Sequence, residues 1–172
     1  MDIKALAQKY EPYIIERRRY FHAHPELSFK EWDTTKALVA EFEKMGMEIQ
    51  TFPDYPGLIA TLDTGKPGRT VMLRADIDAL PVKEGTGLDF ASQNEGVMHA
   101  CGHDNHMAML LGAAHILLEK KDELKGKVKF LLQSGEEMAC GAKYYVDHNI
   151  LDGVDAIFGQ HIWGTLDAPY VC

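Results

Sequence analysis

Cys101 and His103 are separated by one glycine, with Asp104 and His106 directly behind them. A thiolate and an imidazole at that spacing can turn toward one centre in a tight loop, because Gly102 lets the backbone approach closely. Thiolate, imidazole and carboxylate together suit zinc, with manganese, cobalt and nickel as further candidates. The competing reading makes Cys101 a small buried hydrophobe and His103 an ordinary helix-start residue. His99, Asp104 and His106 alongside favour the ligand reading, since four of the eight histidines fall between His99 and His115. A second group is Glu136-Glu137, after Gly135. Two adjacent carboxylates at the mouth of a core strand repel each other unless a cation or a shared proton relieves them. One would then hold a metal while the other takes a proton from the attacking water. Alone, the dipeptide reads more readily as a solvated acidic turn, and His161 alone as a satisfied structural histidine. Asp76 and Asp78 lie in Arg74-Ala75-Asp76-Ile77-Asp78-Ala79-Leu80-Pro81. An aspartate there either holds a metal-bound histidine in its tautomer or, for Asp76, pairs with Arg74.

These groups need a frame that brings them together. Asp76 and Asp78 follow the apolar run Thr70–Leu73, the glutamates follow Val128–Leu132, and His161 follows Ala156–Phe158. Cys101–Asp104 precedes a helix beginning near Asn105, with Met107, Leu110, Leu111, Ala114, Leu117 and Leu118 as its apolar face. In open α/β sheets, sites collect at the carboxyl ends of strands and at helix N-termini, so the sequence predicts one shared rim. Upstream, Leu6, Tyr10, Ile14 and Phe21 predict a helix over Ile3–Phe21 that Pro25 ends. Trp32, Leu38, Val39, Phe42 and Met45 form the stripe of a second helix, with Gly46 as its stop. Met47–Phe52 alternates as a strand. Leu58–Leu62 and Thr70–Leu73 flank Thr64-Gly65-Lys66-Pro67-Gly68 and read as a hairpin. Lys143–Asn149 reads as a short helix. Helices alternating with apolar strands predict an α/β fold, a mixed sheet flanked by helices, with no repeat, low-complexity segment or linker.

Composition narrows the function classes. The 172 residues are 46% hydrophobic and 26% charged, which suits a globular domain with a real core. A net charge of -8 opposes a nucleic-acid partner. No run approaches the roughly 20 apolar residues of a membrane-spanning helix. Met1–Tyr20 lacks the apolar core of a signal peptide, so the expected location is the cytoplasm. The three cysteines, Cys101, Cys140 and Cys172, cannot close a disulfide set, and reduced thiols are expected. Cys140 and Cys172 read as passive.

Met98-His99-Ala100-Cys101-Gly102-His103-Asp104-Asn105-His106 resembles a signature of the metal-dependent amidohydrolases that include hippurate hydrolase, bacterial aminoacylases and plant auxin-conjugate hydrolases. His22-Ala23-His24-Pro25-Glu26-Leu27-Ser28-Phe29, Arg74–Pro81, Glu136-Glu137 and Gly159-Gln160-His161-Ile162-Trp163 resemble that family's other motifs, in the same order. The resemblance implies a zinc-exopeptidase-like domain that binds two divalent metal ions, zinc or manganese, with cobalt or nickel as alternatives. By the same resemblance Cys101, His103, Glu137 and His161 are metal ligands and Glu136 is the general base. Asp76, Asp78 and Asp104 are candidates for supporting carboxylates behind the ligands. Two cations about 3.5–4 Å apart would hold nucleophile and developing oxyanion together, and the substrate is an N-acyl amino acid. Around the glutamates the sequence departs from the family, with Ser134-Gly135 before the pair and Met138-Ala139-Cys140 after it. Family members are more than twice this length. Residues 1–172 are therefore expected to be the N-terminal part of the catalytic domain. The dimerisation or lid domain, the rest of the catalytic domain and a final histidine ligand would lie outside them. Apolar faces such as Met107–Leu118 would then be partly covered and invite self-association, and the chain alone would be inactive. Alternatives are a metal-dependent dipeptidase or carboxypeptidase, or a non-catalytic metal-binding fragment.

Overall fold

The computed structural model describes residues 2–165; Cys172 lies outside them. Helices α1 (Ile3–Ala23) and α2 (Trp32–Lys44) precede β1 (Glu48–Phe52), β2 (Tyr55–Asp63) and β3 (Thr70–Asp76). Then come α3 (His103–Glu119), β4 (Lys127–Gln133), α4 (Gly141–Asp147) and β5 (Ala156–Gly159), with single 3-10 turns at Lys121–Glu123 and Glu136–Met138.

Side chains of a strand alternate between its two faces, and both faces of this sheet are apolar. Leu58, Ala60 and Leu62 of β2 join Phe130 and Leu132 of β4 on one face, against Leu38 and Phe42 of α2 and Met107, Leu111 and Ala114 of α3. Ile59, Met72 and Leu131 point the other way and pack with Phe52 and with Tyr145 of α4. Helix α1 lies on α3 and makes an outer layer. The mixed α/β sheet flanked by helices is thus present.

The strand order is β1-β2-β4-β3-β5. Strand β4 pairs antiparallel with β2 and parallel with β3, and β5 pairs parallel with the other side of β3. The expected hairpin is therefore wrong, because β4 lies between β2 and β3. The glycine-rich loop spans that extra strand and docks on the turn that enters β4. Thr64 N–H bonds Gly126 O at 3.2 Å, and Gly126 N–H bonds Lys66 O at 2.9 Å. A Cβ on Gly68 would meet Gly126 N at 2.6 Å, so the two turns touch through glycine. Trp32 is also not part of the buried stripe of α2; it is exposed, and Thr34, Thr35, Leu38 and Phe42 carry that face. Met107, Leu110, Leu111 and Ala114 are buried in the core between α3 and the sheet, and Leu117 and Leu118 are partly buried against it. The uncovered apolar residues include Ile157 and Phe158 on β5 and the nearby Trp163.

The chain leaves β3 for β4 through α3, then returns to the opposite side of β3 through α4. That reversal is a topological switch point, where the carboxyl ends of parallel strands open a crevice. Asp76, Gln133 and Gly159 end the three parallel strands on this rim. Among the described residues no helix is long and apolar enough to cross a membrane.

Candidate metal centre

His103 opens α3 and is fully buried. Its Nδ1 lies 2.8 Å from the Asp78 carbonyl oxygen. A carbonyl only accepts, so Nδ1 carries the proton and Nε2 faces the rim. Nε2 stands 3.6 Å from Asp76 Oδ2, 3.8 Å from Glu136 Oε2 and 3.8 Å from Glu137 Oε1. Cys101 Sγ is 3.3 Å from His161 Nε2. Cys101, His103 and His161 form one group whose donor atoms all lie within 4.8 Å of one another. His103, Glu136 and Glu137 form another by the same measure. The two groups meet at His103, whose one unprotonated nitrogen, Nε2, can serve a single cation. All five residues expected to bind metal or move the proton therefore meet at one place.

The electrostatics call for positive charge there. His103 Nε2 and Glu137 Oε1 are buried without a hydrogen-bond partner among the described residues, and such atoms are costly unless something satisfies them. Burial pushes the Cys101 thiol up to about 12, aided by the neighbouring Glu137 carboxylate and the charges of Glu136 and Asp76. A thiolate in such company needs a cation beside it. Burial would lower the pKa of His103, but the bond to Asp78 and the charges of Asp76, Asp78 and Glu137 raise it. The donor set thus fits divalent cations, with sulfur and nitrogen favouring zinc or its neighbours.

The aspartates divide differently from one another. Asp78 supports two candidate ligands. Besides its carbonyl bond to His103, its Oδ2 accepts from Glu137 N–H at 3.0 Å and from Ser28 Oγ at 2.7 Å. Asp76 both pairs with Arg74, Nη1 to Oδ2 at 2.7 Å, and bonds a histidine. That histidine is His106, through Nδ1. Burial would raise the pKa of Asp76, but the His106 bond and the charges of His103 and Arg74 hold it at about 2. Asp104 is not drawn to the cluster. It faces α1, accepting from His22 Nδ1 at 2.8 Å and lying 2.9 Å from Arg18 Nε. His99 is buried, and burial lowers its pKa to about 4, which keeps it neutral.

Two contributors, His106 and Glu31, carry little or no mark in the sequence. His106 Nε2 accepts the Ile162 N–H at 3.0 Å, so its ring spans from the end of β3 to the loop bearing His161. Arg74 extends the chain of bonds to Gln133 Oε1 at 3.0 Å, at the end of β4. Glu31 is buried beneath the turn that carries the glutamates. The only sequence signal for His106 is its place in the histidine cluster, and Glu31 has none.

Residues 72–171 match the family described as peptidase family M20/M25/M40. The chain belongs to that family. The matched segment contains every residue of the cluster. Among relatives of the M20 type, an N-acyl-L-amino acid amidohydrolase from Geobacillus stearothermophilus is 42% identical over 96% of this chain. Thermostable carboxypeptidase 1 from Saccharolobus solfataricus is 44% identical over 93% of it. The crystal structure of the Bacillus subtilis YXEP protein, described as a dinuclear metal binding peptidase, superposes with a TM-score of 0.86 at 44% identity over 95% of this chain. The chain spans 45% of the amidohydrolase, 42% of the carboxypeptidase and 45% of the YXEP chain. These relatives are hydrolases of amide bonds by name.

Proposed function

We propose that residues 1–172 form the N-terminal part of a catalytic domain that hydrolyses the amide bond of N-acyl amino acids at a two-cation site. Cys101, His103, Glu137 and His161 hold the cations, and Glu136 is the general base. Bound there, two divalent cations would polarise the amide carbonyl and acidify water. Glu136 takes a proton from the attacking water and passes it to the amine nitrogen as the C–N bond breaks. The observation that carries this reading is the convergence on His103 Nε2, with Glu136 and Glu137 each 3.8 Å away. Exposure supports the division between them. The Glu136 side chain is 40% exposed and can reach a substrate, whereas that of Glu137 is 19% exposed with Oε1 orphaned.

In the full-length protein, Glu136→Gln should reduce turnover of N-acetyl and N-benzoyl amino acids about 10²–10⁴-fold, with bound metal unchanged. Glu137→Gln should lower metal content instead. Interchanged effects would overturn the assignment. The carboxypeptidase relative, at 44% identity, motivates a second reading, cleavage of a C-terminal residue from a peptide. Comparing kcat/KM on N-acyl amino acids and on peptides separates the two.

A further inference from the structure

The glutamate pair stands on the turn Ser134–Glu137 that leaves β4, and much of what grips this turn comes from the start of α2. Glu31, just before α2, is fully buried. Its Oε1 accepts the Gly135 N–H at 3.1 Å, and both carboxylate oxygens lie 2.8 Å from Ser134 Oγ. The obvious structural role for an acidic residue here is to cap its own helix. Glu31 makes no such bond. Glu26 does that work, bonding Thr34 N–H at 2.7 Å and Asp33 N–H at 3.3 Å. The Glu31 side chain is thereby free to reach the turn.

Its backbone is held in turn. Thr35 donates through N–H and Oγ1 to the Glu31 carbonyl, and Thr35 Oγ1 accepts the Gly57 N–H of β2 at 2.8 Å. Two residues earlier, Phe29 adopts φ 64°, a conformation costly for a bulky side chain. Its ring fills the space where Gly135 lacks a Cβ, which would otherwise stand 2.2 Å from Phe29 Cε1. Ser28 meanwhile bonds Asp78, the support of both His103 and Glu137. Burying a carboxylate is expensive, and here burial pushes its pKa up to about 7. The side-chain bonds that compensate for it run to the glutamate-bearing turn.

We propose that Glu31 is a positioning residue for the reaction: its carboxylate clamps the Ser134–Gly135 turn and so fixes Glu136 and Glu137 relative to His103. This rests on the roles given above to the two glutamates.

The test uses the full-length protein with zinc or manganese as the probe ion. Turnover of an N-acetyl amino acid and the metal dissociation constant are measured for Glu31→Ala, Glu31→Gln and Ser134→Ala. Glu31→Ala should lower kcat about 10²-fold, as a small misplacement of a reacting group does, with KM little changed. Metal affinity should weaken about 10–100-fold. Glutamine keeps an acceptor for Gly135 N–H and can donate to Ser134 Oγ, so Glu31→Gln should restore most of both quantities. A purely structural role would lower the melting temperature and leave kcat and affinity of the folded fraction alone, and that result overturns the proposal. If Glu31→Ala does not fold, Ser134→Ala and Glu31→Gln decide. Ser134→Ala should lose several-fold in kcat, and wild-type values in both variants overturn the proposal. Glu136→Gln is run in parallel. If it stays active, the reading of the site fails and this inference with it. If it is inactive while the Glu31 variants behave as wild type, only the positioning role fails.

Discussion

Asp78 concentrates more support on the candidate centre than any single ligand could supply for itself. Its carbonyl fixes the His103 tautomer, and its carboxylate anchors both the Glu137 backbone and Ser28. Asp78→Ala would free Glu137 N–H and Ser28 Oγ together, although the backbone bond to His103 survives. Metal affinity should fall about 10–100-fold, read by chelator competition, and stability by about 1–3 kcal/mol for the stranded donors, read by urea unfolding. Unchanged affinity would mean that the turn bearing Glu137 is held without it. Much of this scale was legible in the residues. Cys101, His103, Glu136, Glu137 and His161 stand out because side chains of those types seldom cluster after apolar strands and at a helix start without a shared task. Asp104 misleads, since next to a candidate ligand in sequence it turns about 100° around the helix and faces α1 instead. Glu31 and His106 act through partners that only folding brings near, so no local spacing announces them.

At the scale of elements, α1 is docked on α3 by a buried charged group. His22 and Asp104 are each almost wholly buried, with Arg18 ion-paired to Asp104 and Glu84 to His22. The His22 pKa is raised, chiefly by its bond to Asp104. Burial would raise that of Asp104, but the His22 bond and the nearby positive charges lower it. A lowered carboxyl pKa stabilises the fold above the ordinary carboxylate value and loses that effect as pH falls through the folded value. A raised imidazole pKa stabilises below the ordinary value near 6.5 and loses its effect as pH rises through the folded value. The pair should therefore contribute most between about pH 4 and 6.5, declining on both sides. Asp104→Ala leaves the partners uncompensated and should cost about 3–5 kcal/mol, flattening this part of the pH profile of urea unfolding. A variant with the wild-type profile would locate the α1 docking energy in apolar contacts such as those of Leu6 and Phe21. Element types were readable from periodicity, but pairing was not. The apolar runs of β2 and β3 look like a hairpin because nothing local reveals that β4, far along the chain, inserts between them.

For the whole molecule, the decisive fact is that these residues match 45% of the amidohydrolase relative. The described sheet ends at β5, which pairs on one side with β3. Ile157 and Phe158 on β5 are 48% and 60% exposed, and Trp163 is 67% exposed. An edge strand with exposed apolar residues is a template for pairing with another chain. His161 follows this strand directly and is itself exposed, so this candidate ligand sits beside an uncovered apolar surface. A polypeptide of residues 1–172 alone should therefore self-associate, which sedimentation or light scattering across a concentration series would reveal. It should also show no appreciable turnover of N-acetyl or N-benzoyl amino acids, even with added zinc, manganese or cobalt. Orientation of bound reactants accounts for about 7–11 kcal/mol of a typical barrier, and a half-exposed rim offers little of it. The candidate ligands can still gather a cation, so Cys101→Ala should lower the metal retained after dialysis by the same polypeptide. Metal-dependent turnover by residues 1–172 that Glu136→Gln abolishes would overturn the expectation of inactivity. It would mean that another chain, such as a second copy paired along β5, or a further residue of this one completes the site.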